Sequence, residues 1–125
     1  MILGTGMDLV EIARIEQMIE RFGPRFIHRI LRPPEAAYCQ AQARPGPHIA
    51  ARFAAKEAVG KAFGTGIGRD LAWHDIEIGR METGQPSVQL HGGGRLLWNR
   101  RQAVRLHLSL THTPVVAGAV AILEG

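Results

Sequence analysis

Residues 48–63 read His-Ile-Ala-Ala-Arg-Phe-Ala-Ala-Lys-Glu-Ala-Val-Gly-Lys-Ala-Phe, and Gly64-Thr-Gly-Ile-Gly68 follows at once. Alanine is the best helix former, and glycine is the usual residue just past a helix end. The stretch therefore predicts the longest helix of the chain, from His48 to Phe63. At 100° per residue almost every direction around it carries Ile, Phe, Val or Ala, so the helix is expected to be mostly buried. Two charged stripes interrupt it: Arg52 with Lys56, and Glu57 with Lys61 on the row of Ile49 and Phe53. The second has two readings. It is an exposed i,i+4 pair contributing about 0.2–0.5 kcal/mol, or it is a functional pair, since charge near a core needs a partner or a metal.

Outward from this helix the periods change. Residues 2–10 read as a strand containing two glycines, and Ile12, Ile15, Ile19 and Phe22 mark an amphipathic helix from Glu11 to Phe22. Gly23-Pro24 ends it. A short helix is expected from Arg25 to Leu31 and another over residues 35–43, with Arg44-Pro-Gly-Pro47 as a break. Downstream, Ile76–Met81 and Ser87–Leu90 alternate as strands around the turn Thr83-Gly-Gln-Pro86. A short helix is expected near Arg95–Arg101, then strands over Val104–Thr111 and Val115–Leu123. Early helices and late paired strands give an α+β class: a mostly antiparallel sheet packed against the long Ala-rich helix and shorter ones. The last strand is nearly all apolar and wants cover on both faces, from helices or from a neighbouring subunit.

With 125 residues the chain suits one domain, 1–125. So small a domain has reason to borrow walls for a deep cleft from a second copy. The net charge is +4, and of fifteen cations only Lys56 and Lys61 are lysine. Arginine suits bidentate contact with phosphate and carboxylate, so an acidic partner is expected, although codon bias explains the composition equally well. The single cysteine, Cys39, excludes an internal disulfide and fits a reducing compartment. The first residues lack the basic start of a secretory leader, and no apolar run approaches the ~20 residues that cross a bilayer. The expected location is the cytoplasm.

Asp8 stands in an otherwise apolar strand, where aspartate is disfavoured. One carboxylate from a strand and one from a helix can together hold a hard cation, and magnesium takes one or two carboxylates with phosphates and waters. Gly64, Thr65 and Gly66 either cap the helix or offer amides to an anion. His112, between Thr111 and Thr113 where two strands meet, is either structural or a phosphate ligand. The other five histidines lack metal-ligand spacing. Arg14, Met18, Arg21 and Arg25 lie opposite the core stripe of the first helix. They form either a dock for an acidic amphipathic helix or a solvated face.

Three segments resemble the holo-acyl-carrier-protein synthase family, the short bacterial phosphopantetheinyl transferases: residues 4–15, residues 52–67 with Phe-Ala-Ala-Lys-Glu…Lys-Ala…Gly-Thr-Gly, and Leu108-Ser-Leu-Thr-His-Thr-Pro114. Thr83-Gly-Gln-Pro86 also matches the family's turn. The resemblance implies a phosphopantetheinyl transferase-like fold. It also implies a cytoplasmic enzyme of fatty acid biosynthesis that moves phosphopantetheine from coenzyme A to a serine of apo acyl carrier protein, releasing 3′,5′-ADP. By resemblance Asp8 and Glu57 are magnesium ligands and Lys61 lies beside the pyrophosphate. Arg52, Gly64, Thr65, Gly66, Pro86, His112 and Thr113 fall where relatives contact coenzyme A. Arg14, Met18, Arg21 and Arg25 receive the carrier protein. A homotrimer with interface active sites is implied, and either Glu57 or a magnesium-bound water takes the serine proton. Residues 32–47 carry little resemblance and receive no assignment. Two rivals belong to other classes. A basic nucleic-acid-binding module would explain the arginines but not Asp8 and Glu57, and an aromatic content of 6% gives few stacking platforms. A catalytically silent scaffold would use the Arg14 face alone.

Overall fold

The computed structural model describes all 125 residues. In chain order they form β1 (Ile2–Glu11), α1 (Ile12–Phe22), α2 (Pro24–Ile30), α3 (Pro33–Gln40), α4 (Pro45–Phe63), a single 3-10 turn (Trp73–Asp75), β2 (Ile76–Arg80), β3 (Pro86–Leu90), α5 (Gly92–Arg100), β4 (Arg105–His112) and β5 (Val116–Glu124). All strand pairing is antiparallel, as the α+β reading expects. The strands form two sheets, one in the order β1-β5-β4 and the other the β2-β3 hairpin. No helix is long and apolar enough to cross a membrane.

Helix α4 lies across one face of the larger sheet. The small side chains Ala117, Ala119 and Ala121 of β5 are buried there, with Leu123, and let the helix settle close. On β1 the approach is closer still. A Cβ at Gly6 would stand 1.8 Å from the Ala58 carbonyl oxygen, and one at Gly4 2.0 Å from that of Ala62. Only glycine fits these two positions. The sheet's opposite face has no helix over it, leaving Met7 64% and Leu9 68% exposed, with Val120 between them and β4.

Three boundaries and one burial depart from the sequence reading. Residues 44–47 are not a break: Pro45 opens α4 and Pro47 lies in its first turn, where a missing N–H has no carbonyl to satisfy in any case. Helix α3 likewise starts earlier than expected, at Pro33. Helix α5 begins at Gly92 rather than Arg95. Its glycines are required by a close approach, since a Cβ at Gly93 would stand 2.5 Å from the Asp70 carbonyl oxygen. Phe22 leaves the core stripe and is 44% exposed, because Gly23 at φ +61° turns the chain and Phe26 of α2 takes the buried position instead.

Lys56 has no exposed surface at all. Its three ammonium protons are all used: Nζ donates to the Ile30 carbonyl at 2.7 Å, to Glu35 Oε1 at 2.8 Å and to the Trp73 carbonyl at 3.1 Å. Glu35, also buried, accepts further from the amides of Arg32 and Ile78. One ion pair therefore ties α4 to the end of α2, to α3, to the 3-10 turn and to β2.

Candidate active site

The alternation of β1 turns Gly4, Gly6, Asp8 and Val10 toward α4. The two glycines bring the helix against the strand, and Asp8 is the first residue beyond them with a side chain to offer. Lys61, in the last turn of α4, donates from Nζ to Asp8 Oδ1 at 3.2 Å and to the Met7 carbonyl at 2.9 Å. Glu57 lies one helical turn before Lys61 and is half-buried. Burial raises its pKa above the ordinary carboxylate range, and the Asp8 charge raises it further, against the downward pull of Lys61. Asp8, Glu57 and Lys61 thus form one electrostatic group.

The donor set fits magnesium. Two carboxylates repelling each other at the mouth of a strand-helix groove supply hard oxygen, and their mutual repulsion is relieved by a cation. No group of three or more His, Cys, Asp or Glu side chains is placed to hold a metal by itself. A cation held here would need its remaining ligands from phosphate and water, which magnesium commonly takes.

A second group lies elsewhere on the chain. Arg52, Pro86 and His112 line one cavity of about 250 Å³, with Tyr38, His48 and Arg80 among the other walls. Arg52 is only 5% exposed, forms no ion pair, and its Nε has no hydrogen-bond partner. No carboxylate lines the cavity. Burial lowers the His48 pKa, and the charges of Arg52, His112 and Arg80 lower it further. The cavity is therefore electropositive and suited to an anion.

The two groups do not meet within one chain. Arg52 and Glu57 are five residues apart on α4, about 140° around its axis, and neither Asp8, Glu57 nor Lys61 lines the Arg52 cavity. The amides of Gly64 and Gly66 donate to the carbonyls of Lys61 and Gly60, so both cap the helix. Thr65 Oγ1 donates to the Gly66 carbonyl. Thr113 lies at the edge of a neighbouring hollow that also includes His112. Its hydroxyl oxygen accepts from the amides of Val115 and Val116 and so shapes the β4-β5 turn.

Arg14, Arg21 and Arg25 are exposed along α1 and the start of α2, with Met18 half-buried among them. A shallow hollow adjoins them, walled by Met18, Phe22, Arg25, Phe26 and Arg29. The sequence reading missed Phe22, Phe26 and Arg29 here, and Tyr38, His48 and Arg80 at the anion cavity. Phe22 and Phe26 resemble core residues by period. The cavity trio lies on three separate elements with no local pattern, and only the lone tyrosine on a short helix offered a signal.

Carboxylates and a lysine at one groove, and a cation-lined cavity elsewhere on the same α+β fold, are chemistry suited to a phosphorylated ligand. The sequence pattern of the 4′-phosphopantetheinyl transferase superfamily matches residues 4–116. A holo-[acyl-carrier-protein] synthase of Koribacter versatilis is 49% identical over 99% of this chain and 99% of its own. The crystal structure of holo-[acyl-carrier-protein] synthase from Neisseria meningitidis superposes with a TM-score of 0.94 at 33% identity, covering all of both chains. The Helicobacter pylori enzyme in complex with coenzyme A gives 0.86 at 33% identity, covering 96% of this chain and 99% of that one. The chain belongs to the phosphopantetheinyl transferase superfamily and, within it, to the holo-[acyl-carrier-protein] synthases.

Proposed function

We propose that this protein transfers 4′-phosphopantetheine from coenzyme A to a serine of apo acyl carrier protein, releasing 3′,5′-ADP and serving fatty acid biosynthesis. The observation that carries the reading is the Asp8–Glu57–Lys61 group, two carboxylates and an ammonium converging where a strand meets a helix. Asp8 and Glu57 would hold magnesium, which when bound supplies charge neutralisation to the coenzyme A pyrophosphate. Lys61, held by Asp8, directs its ammonium to the same phosphate chain and stabilises the negative charge left on 3′,5′-ADP. The serine hydroxyl attacks the β-phosphate, its oxygen forming the new P–O bond as the bond to the 5′-nucleotide phosphate breaks. Either Glu57 or a water on the magnesium would take the departing proton. Gly64, Thr65 and Gly66 border the Lys61 side of this site.

The Arg52 cavity, with His112, Pro86 and nearby Thr113, is assigned to the other end of the nucleotide, its 3′-phosphate. A monoester dianion is the ligand that a carboxylate-free cavity between guanidiniums suits best. The two groups lie on different faces of α4, so a complete site needs halves from two copies. A homotrimer with interface active sites satisfies that need. The helix-free sheet face carrying Met7, Leu9 and Val120 supplies apolar surface for it. Arg14, Met18, Arg21 and Arg25, with the adjoining Phe22–Phe26 hollow, form the dock for the acidic carrier protein. A cytoplasmic setting agrees with a buried, unpaired Cys39.

The test is intact-mass spectrometry of apo acyl carrier protein incubated with this protein, coenzyme A and magnesium. The expected result is a gain of one phosphopantetheine, lost with EDTA and lost when the acceptor serine is alanine. No gain across several carrier proteins would sink the transferase reading. The nucleic-acid alternative leaves the Asp8–Glu57 pair without a role, and it loses three arginines: Arg52 is buried, Arg44 pairs with Glu16 and Arg101 caps α4 through the Phe63 carbonyl.

A further inference from the structure

The anion cavity contains a tyrosine to which nothing above gives a task. Helix α3 brings the Tyr38 ring beneath Arg52, whose guanidinium carbon stands 4.5 Å from the ring centroid. The hydroxyl of the same ring accepts a hydrogen bond from Arg80 Nη1, at the end of β2. His48 meets the ring edge-on at a centroid separation of 6.1 Å, packing against it from a third side. One side chain therefore holds two cations from two different elements, by its face and by its rim.

Neither arginine has a carboxylate to fix it. Arg52 is buried without an ion pair and with Nε unpartnered, a condition that requires an aromatic face or an incoming anion. Arg80 is exposed on a long, flexible stem, and the Tyr38 hydroxyl is its one hydrogen-bond partner. Two guanidiniums pointed into one small cavity repel each other, and the ring between them offsets that repulsion. Resting on the coenzyme A reading above, we propose that Tyr38 is a positioning residue that pairs Arg52 with Arg80 around the 3′-phosphate, and that this pairing sets the preference for 3′-phosphorylated over dephosphorylated coenzyme A. Arg52 and Arg80 then approach the dianion from two sides, and binding releases the strain of two unneutralised cations. The Tyr38 hydroxyl fixes the direction of Arg80, whose guanidinium carbon also stands 5.8 Å from the ring centroid.

That dependence gives the test. Isothermal titration of the full chain with 3′,5′-ADP and with 5′-AMP compares wild type, Tyr38→Phe, Arg80→Ala and the double variant. Tyr38→Phe keeps the ring face and removes only the hydroxyl that holds Arg80, so it and Arg80→Ala each weaken 3′,5′-ADP by roughly 10- to 100-fold, the weight of one charge-assisted hydrogen bond. Neither changes 5′-AMP binding. The double variant binds 3′,5′-ADP no more weakly than Arg80→Ala alone. Tyr38→Leu releases Arg52 as well and weakens the same ligand further, and in turnover the loss shows in the KM for coenzyme A but not for 3′-dephospho-coenzyme A. Additive losses in the double variant, or equal losses for both nucleotides, would overturn the positioning role and leave the coenzyme A reading intact. A wild-type protein that does not distinguish 3′,5′-ADP from 5′-AMP overturns both. Should Tyr38→Leu fail to fold, Arg80→Ala and Tyr38→Phe carry the test unaided.

Discussion

Burial and the Asp8 charge both hold the Glu57 pKa above its ordinary value, and Lys61 does not fully cancel them. The folded protein thus binds this proton more tightly than the unfolded chain does. Glu57 therefore favours folding below the ordinary carboxylate range, and that contribution is lost as pH rises through the raised pKa. Glu57→Gln is expected to abolish transfer yet to melt higher than wild type at neutral pH in EDTA, the gap closing as pH falls. Magnesium with coenzyme A should raise the melting temperature of wild type well above the rise that coenzyme A alone gives, and magnesium should add nothing for the variant. A melting temperature below wild type in EDTA would contradict the strained-carboxylate account. Lys56, one residue earlier, is the opposite case. Burial lowers its pKa and Glu35 pulls it back up, and every donor has an acceptor. Lys56→Met leaves Glu35 charged and unpaired in the core, which costs about 3–5 kcal/mol. A urea midpoint close to wild type would show that water reaches the vacated site.

At the scale of elements, the β1-α4 contact sets the geometry on which the Asp8 group depends. Gly6→Ala would put a methyl where the Ala58 carbonyl oxygen already stands. Separating strand from helix to admit it costs about 1–3 kcal/mol or more and moves Asp8 away from Glu57. Both thermal stability and magnesium dependence should suffer; a fully active Gly6→Ala would mean that the groove tolerates a wider spacing. On α1, Arg14→Glu should raise the KM for carrier protein well above any change in coenzyme A binding, and the reverse pattern would remove the docking face. These elements were largely legible beforehand. The alanine run of α4, the 3.6-residue period of α1 and the apolar β5 are local signals, and Asp8 and Glu57 stood out as charges in apolar surroundings. What stayed hidden depends on tertiary contact. Pro45 and Pro47 read as a break because their tolerance in a first helical turn appears only once the helix is seen to begin there. Glu35 and Tyr38 sit in a segment without any motif, and their meaning comes from Lys56 and Arg52, which arrive from another helix.

At the scale of the whole molecule, the separation of the two site halves has a consequence that needs no further structure to test. Asp8, Glu57 and Lys61 face one way from α4 and Arg52 another, so the proposed site would join the carboxylates of one protomer to the arginine cavity of its neighbour. Glu57→Gln and Arg52→Ala variants should each be inactive alone. When the two are unfolded together and reassembled at equal amounts, an interface is intact wherever the Arg52→Ala protomer supplies its Glu57 to a Glu57→Gln protomer that supplies its Arg52. In a cyclic trimer each interface meets that condition with a chance of one half times one half, so roughly a quarter of wild-type activity should return. Substituting Leu9→Glu on the helix-free sheet face, where the apolar strand surface would be covered by a neighbour, should prevent that recovery and leave protomers that sediment singly. Recovery of a quarter from the mixture, abolished by Leu9→Glu, is what a shared site requires. Mixed variants that stay inactive although they sediment as trimers would place both halves within one chain, with α4 turned further than its geometry here allows.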